Sequence, residues 1–341
     1  MKVGVPILDM KPEGGNFSYH RADVQQVLLK HISSSTRFHL SSRLTSYNRI
    51  SSQMELQFKD GKIATCDLLV GADGINSAVR KTLLTEGLEG LEEDEKRKIY
   101  EAPWTGETVY RSLIDSEVIR KIAPDHPGLK GRVMHLVVYP VSQGKLLNTV
   151  PFVADLSKYG TLLDGSNVTE NITDDIGSLY EGWEEEAQCL AKNMNKPTKW
   201  SIQAVTPLDR YVGDRVALLG DAAHGMPPHL GNGAGQAIED ALILGNTIAK
   251  AVQSGKADIP KILETYNAIR QPFGNFVARE TKRAGLLYDF TDEAGFEGLK
   301  EGDEVSSERL AELGEEINEK WAWTWRASAL DDLKKVEAAF Q

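Results

Sequence analysis

Residues 215–245, RVALLGDAAHGMPPHLGNGAGQAIEDALILG, constrain the fold more than any other stretch of the chain. They open with an apolar run, Val216 to Leu219, fit for a buried strand. The run stops at Gly220-Asp221, and open α/β sheets bind ligands outside the carboxyl ends of their strands. Asp221 can accept hydrogen bonds from the hydroxyls of a ribose or ribitol chain. Gly231, Gly233 and Gly235 let backbone approach a flat ring closely. The helix predicted from about Gly235 to Val252 directs its positive end and its free N–H groups at whatever lies there. Pro227-Pro228 stiffens the loop. His224 and His229 have no third ligand near them in sequence, so no metal site is expected. His224 reads either as a hydrogen-bonded structural histidine or as a general base.

A second stretch has the same grammar. In DLLVGADGINSAVR, Asp67 to Arg80, a buried strand is followed by a glycine turn and a short helix. Asp73 sits at the strand's carboxyl edge. It reads equally as a ligand group and as the cap of the next helix.

Between the two stretches the pattern changes. Lys59-Asp60-Gly61-Lys62 divides two strand-like runs, a hairpin signal. Residues 107–153 hold three further strand-like runs, divided by turns at Pro127-Gly128 and Gln143-Gly144, and predict an antiparallel sheet. Residues 16–32 predict an amphipathic helix, with Val24, Val27, Leu28 and Ile32 on one face. A polar helix is expected over 174–193 and a long one over 259–289. A last helix carries Trp321, Trp323 and Trp325, at a spacing that suits core packing. The fold class is α/β with an inserted antiparallel sheet. The expected partition is 1–100 with 200–290 as a discontinuous ligand-binding domain, 101–199 as a sheet domain, and 291–341 as a helical tail.

Composition removes several function classes. With 39 basic against 50 acidic residues, the net charge is −11, which argues against a nucleic-acid partner. Cys66 and Cys189 form no CxxC pair and read as reduced, partly buried thiols. No apolar run approaches the ~18 residues of a membrane span. No secretory h-region follows Met1, so a cytoplasmic location is expected.

With these motifs on the page, the chain resembles the FAD-dependent aromatic-hydroxylase family (class A flavoprotein monooxygenases), in its salicylate-hydroxylase-like branch. GADGINSAVR resembles that family's DG motif, and LLGDAAHGMPPHLGNGAGQAIEDA its GD motif. HRADVQQVL from His20 resembles its HRADL element. YRSL at Tyr110 and HLVVYP at His135 resemble its substrate-domain strands, and YNAIRQPFGNFVARETKRAG from Tyr266 its C-terminal helix. The resemblance implies an FAD-binding Rossmann-like domain with an antiparallel substrate domain. It also implies NADH or NADPH as co-substrate, and transfer of one oxygen atom from O2 through a flavin C4a-hydroperoxide. The implied substrate is a phenolic acid or a polyketide- or terpenoid-like secondary metabolite.

Carried over residue by residue, the resemblance puts Arg21 at the FAD phosphates or adenosine. It puts Asp73 near the pyrophosphate and Asp221, after Gly220, on the ribityl chain. Ala234, with Gly233 and Gly235, would lie against the isoalloxazine, with Pro228 and Gly231 in the same loop. Arg111 and Tyr139 fall where related enzymes place substrate-side polar groups; a plain sheet-pairing arginine is an equal reading of Arg111.

The family's opening GxGxxG unit, with an acidic residue about 20 positions later, has no counterpart in this sequence. The expectation is an N-terminally truncated FAD domain with weakened cofactor affinity and exposed apolar strand edges. A non-catalytic remnant is therefore the alternative function. A flavin-free dehydrogenase is a third reading, which the Asp-Ala-Ala-His loop disfavours.

Overall fold

The computed structural model describes residues 7–10, 21–124, 132–133, 136–170, 172–255, 257–299 and 303–341. The chain opens with helix α1 (Arg21–Leu29) and strands β1 (Leu44–Ile50), β2 (Gln53–Phe58), β3 (Ile63–Cys66) and β4 (Leu69–Gly71). Helices α2 (Ala78–Thr85) and α3 (Glu93–Tyr100) follow, then β5 (Trp104–Asp115) and α4 (Ser116–Ile122). Next come β6 (Arg132–Val133), β7 (Leu136–Val141), β8 (Leu146–Ala154), β9 (Val168–Thr169), α5 (Glu185–Lys192) and β10 (Thr198–Gln203). The chain continues through β11 (Val212–Gly213), β12 (Val216–Leu218), α6 (Asp221–His224) and α7 (Gly233–Gln253). It ends with α8 (Ile259–Tyr288), α9 (Ser307–Arg326) and α10 (Ala329–Ala339).

Two compact units divide these elements. One gathers Met1–Phe38, Trp104–Ile202 and Leu286–Asn318; the other gathers His39–Pro103, Gln203–Gly285 and Glu319–Gln341. The residues read as a tail are shared between them.

The second unit holds both strand-turn-helix stretches. β12 pairs parallel with β4 and antiparallel with β11, in the order β11-β12-β4. Val216, Ala217 and Leu218 are all buried, as a central apolar run requires. Parallel pairing puts the carboxyl ends of β4 and β12 side by side, which brings the two motifs together. α2 lies close against β4 because Gly71 has no side chain: a Cβ there would sit 2.7 Å from Val79 Cβ. α7 buries Gln236, Asp240, Ile243, Leu244, Thr247 and Ala251, a stripe at helical spacing. The hairpin β2–β3 turns at Gly61, whose φ is 83°. Trp323 of α9 packs edge-on against Phe273 and Phe276, 5.7 Å from each ring centre.

In the first unit, β6-β7-β8-β5-β10-β9 form one sheet. β8 runs antiparallel to both β5 and β7. Tyr110, Ile114, Leu136, Val138 and Leu147 pack from one face of it against Ile119 and the α5 residues Ala187, Leu190 and Ala191.

Four expectations change. α1 forms, but none of its residues is buried, and Val27 and Leu28 are 53% and 56% exposed. Its spacing makes a helix, but no described element covers its apolar face. The helix expected over 174–193 forms only at Glu185–Lys192, after a single 3₁₀ turn at Ser178–Tyr180. Gly182, at φ 84°, breaks the run, and the Tyr180 hydroxyl pins the turn by donating to the Phe152 carbonyl at 3.1 Å. α4 and strands β9 and β10 are additions. The last helix is two, divided before Ser328, whose side chain accepts from the Leu330 N–H. Residues 16–20, the turn at Pro127-Gly128, and His135 lie outside the described residues.

Candidate active site

The chain leaves β12 through Gly220, at φ 61° and ψ −143°, a conformation essentially reserved for glycine. A Cβ there would also come within 3.0 Å of Ala237 Cβ on α7. This reversal starts α6 and leaves the Asp221 carboxylate exposed, with no hydrogen bond among the described residues. Gly233, the first residue of α7, lies beside it: a Cβ on Gly233 would sit 3.9 Å from Asp221 Oδ1.

The first turn of α7 has no side-chain cap. Gln236 N–H is the first amide to find a helical partner, the Asn232 carbonyl at 2.9 Å. The amides of Gly233, Ala234 and Gly235 therefore keep the unmet donors of a helix start. Ala234, Gly235, Gly231 and Pro228 are exposed, and a Cβ on Gly231 or Gly235 would meet nothing within 4 Å. The Gly231 N–H closes the loop onto the Pro228 carbonyl at 2.9 Å. The surface is built of glycine, alanine and proline, carries the free N–H donors of the helix start and borders a carboxylate with no hydrogen bond among the described residues. These features fit a planar ring with a polyhydroxyl chain, so the residues present suit a flavin.

Asp73 caps α2. Its carboxylate accepts from the Ser77 hydroxyl at 2.5 Å and from the N–H groups of Ala78 and Val79 at 2.7 and 3.2 Å. Arg80, 2% exposed, ties the two motifs together. Its guanidinium donates to the carbonyls of Tyr100 (2.9 Å), Ala222 (3.0 Å), Asp221 (3.4 Å) and Ile75. Burial pushes its pKa down to about 10, against the upward pull of Asp73 and Asp221.

His224 is sealed inside. Its Nε2 lies 2.6 Å from Asp240 Oδ2, and both side chains have 0% exposure. Its Nδ1 is buried without a partner among the described residues. Asp240 also accepts from the Gly220 N–H at 2.9 Å and from Arg270 Nε at 2.8 Å. Arg270 extends the network to Gln236 Oε1 (2.7 Å) and Glu239 (3.1 Å). Burial pushes the Asp240 carboxyl up, but His224, Arg270 and the Gly220 amide together hold it below the usual range. An ionised Asp240 assigns the proton of His224 to Nε2.

The remaining sequence candidates lie in the first unit. Arg21 opens α1 and is exposed. Arg111 and Tyr139 share the sheet face opposite the apolar core. Tyr139 of β7 pairs with Asn148 of β8, which pairs with Leu113 of β5, two residues from Arg111. Arg111 Nε donates to Asn148 Oδ1 at 3.0 Å, and Tyr139 is 37% exposed.

Sequence motifs alone assign no role to Arg80, Asp240 and Arg270. The signal for Asp240 was present: it falls on the apolar stripe of α7, four residues after Gln236 and three before Ile243, where a charge must be paired. Its partner, 30 positions along the chain, carried no local mark.

The chain matches the family described as FAD binding domain over residues 17–281. It is 31% identical over 342 residues to a salicylate hydroxylase of Pseudomonas putida, covering 96% of this chain and 73% of that protein. It is 31% identical over 303 residues to the 6-methylsalicylate 1-monooxygenase of Aspergillus terreus, covering 85% and 64%. A solved salicylate hydroxylase substrate complex superposes with a TM-score of 0.76 at 28% identity, covering 93% of this chain and 75% of that one. This chain thus spans between 64% and 75% of the length of these proteins. Among the described residues, no helix is long and apolar enough to cross a membrane.

Proposed function

Because the chain belongs to the FAD binding domain family, and with it to the FAD-dependent aromatic hydroxylases, we propose that it is an FAD-dependent, NAD(P)H-driven monooxygenase of a small phenolic acid. The observation that carries this reading is the exposed Asp221 carboxylate beside the uncapped, glycine-surfaced start of α7.

In this reading Asp221 accepts hydrogen bonds from the ribityl hydroxyls. The amides of Gly233, Ala234 and Gly235 would help hold the bound ring and would favour negative charge on it. Pro228 and Gly231 shape the loop, Asp73 holds the start of α2, and Arg80 on α2 donates to the Asp221 and Ala222 carbonyls of α6. Bound FAD supplies the relay of electrons from the reduced nicotinamide to oxygen and the oxygen insertion itself. The sheet face carrying Arg111 and Tyr139 takes the substrate. A guanidinium matches a carboxylate in a two-pronged geometry. The Tyr139 hydroxyl would exchange a hydrogen bond with a phenol oxygen. His224 has no exposed atom with which to take a substrate proton, so its assigned role is to hold α6.

The partition proposed is one FAD-binding body, carrying the parallel strands, and one substrate-binding body, carrying the antiparallel sheet. The test is the visible spectrum of residues 1–341 after loading with excess FAD and desalting, followed by NADH- and NADPH-driven oxygen consumption with salicylate and related phenols. A retained flavin band with substrate-stimulated oxygen uptake supports the reading. A colourless folded protein would instead favour a remnant that no longer holds the cofactor.

A further inference from the structure

Asp240 receives more than a buried ion pair needs. One oxygen, Oδ1, is occupied by Arg270 Nε at 2.8 Å. The other, Oδ2, takes the Gly220 N–H at 2.9 Å and His224 Nε2 at 2.6 Å. Gly220 precedes α6 and His224 is the last residue of this four-residue helix, whose first residue is Asp221. One carboxylate oxygen therefore grips both ends of the element that presents the exposed Asp221 carboxylate. Arg270 in turn is held by Gln236 and Glu239 on α7, so the grip is referred to the helix whose first turn borders Asp221. Stability alone is a poor reason for this arrangement, because buried ion pairs are often no more stabilising than apolar side chains of the same size. A fixed direction for Asp221 is a better one.

We propose that Asp240, anchored by Arg270, is a positioning residue for FAD: it locks α6 so that the Asp221 carboxylate is held beside the start of α7, where it would meet the ribityl chain. The inference rests on the FAD-binding reading above.

Asp240→Asn preserves shape but breaks the grip. An amide offers one oxygen to three donors and turns an NH2 toward one of them. Titration of apoprotein with FAD, followed by flavin fluorescence, should show affinity falling about 10- to 100-fold, as expected when a ligand-positioning shell is loosened. Asp221→Ala should show a loss of similar size. The double variant Asp221→Ala/Asp240→Asn should bind within about threefold of Asp221→Ala alone, because groups acting through one another are not additive.

A purely structural Asp240 would lower the unfolding midpoint and leave the affinity of the folded protein unchanged. If the Asn variant does not fold, Arg270→Lys decides. It keeps the charge, but one ammonium cannot serve Asp240 and Gln236 together, so FAD affinity should fall with the same non-additivity. FAD binding within twofold of wild type in a folded Asp240→Asn or Arg270→Lys protein overturns the proposal. Failure of the wild-type protein to bind FAD overturns the parent reading instead.

Discussion

Replacing Arg80 by methionine should destabilise the second unit by about 3 kcal/mol, with a range of ~2–6. The figure follows from what the guanidinium does. Three short hydrogen bonds reach the carbonyls of Tyr100, Ala222 and Ile75, and a longer one reaches that of Asp221. A bond from a charged donor contributes about 1.5–3 kcal/mol, and a buried carbonyl left without it has no replacement. Against this stands the cost of burying the charge. A pKa displaced from 12.5 to about 10 corresponds to about 3 kcal/mol recovered when the charge is removed. Methionine fills much of the volume, so little cavity cost is added. Calorimetry at neutral pH should show a melting temperature lower by on the order of 10 °C. Arg80→Lys should recover little, since one ammonium cannot span carbonyls from three segments. A loss below about 1 kcal/mol, or full rescue by lysine, would refute the idea that these bonds lock the DG and GD turns together.

Three further outcomes are expected. Gly235→Ala should leave the apoprotein as stable or stabilise it by up to about 1 kcal/mol, because its Cβ meets nothing within 4 Å in a helix. FAD affinity should fall about tenfold if a ring lies over that surface, and unchanged affinity would place the ring elsewhere. Arg111→Ala should raise KM for carboxylated substrates about tenfold or more, with a smaller effect on kcat; steady-state kinetics with a carboxylate and its uncharged analogue check this, and equal effects on both would remove Arg111 from substrate binding. Acid unfolding should distinguish Asp240→Asn from wild type. The folded carboxyl lies below its ordinary 3.8, so its contribution is present above that value and is lost as pH falls through the lower, folded one. The stability gap between variant and wild type should therefore narrow below pH 3.8 in urea titrations, and a constant gap would contradict the buried, ionised state.

Much of this organisation is legible in the sequence because it is local. The apolar Val216–Leu218 run, the Gly220 reversal and the glycines before α7 each follow from rules acting within a few residues. So do the turn at Gly61 and the bounds of α7 and α8. What was not legible depends on partners far along the chain. Asp73 could be a ligand group or a cap, and only the position of Ser77 and the α2 amides shows that it caps. His224 looked like a candidate base until Asp240 closed over it. The apolar spacing of α1 announces a helix, but periodicity does not say whether anything covers Val27 and Leu28. The polar run at 174–193 has helical composition, yet Gly182 and the anchored Tyr180 hold back the start of the helix to Glu185.

Gly71 and Val79 share a volume that only one side chain can fill. With 2.7 Å between Val79 Cβ and the place where a Cβ on Gly71 would stand, neither position can enlarge alone. That sets the order in which sequences can drift across this contact. Growth at 71 before shrinkage at 79 passes through an overpacked intermediate that costs about 1–3 kcal/mol, and it pushes α2, with Arg80 on it, off the strand. Shrinkage at 79 clears the way only if it goes to glycine, because alanine keeps the Cβ that stands 2.7 Å from the new side chain; a later Gly71→Ala then refills the gap. Lineages should therefore show the two positions changing as a pair, with the small residue at 79 arriving first.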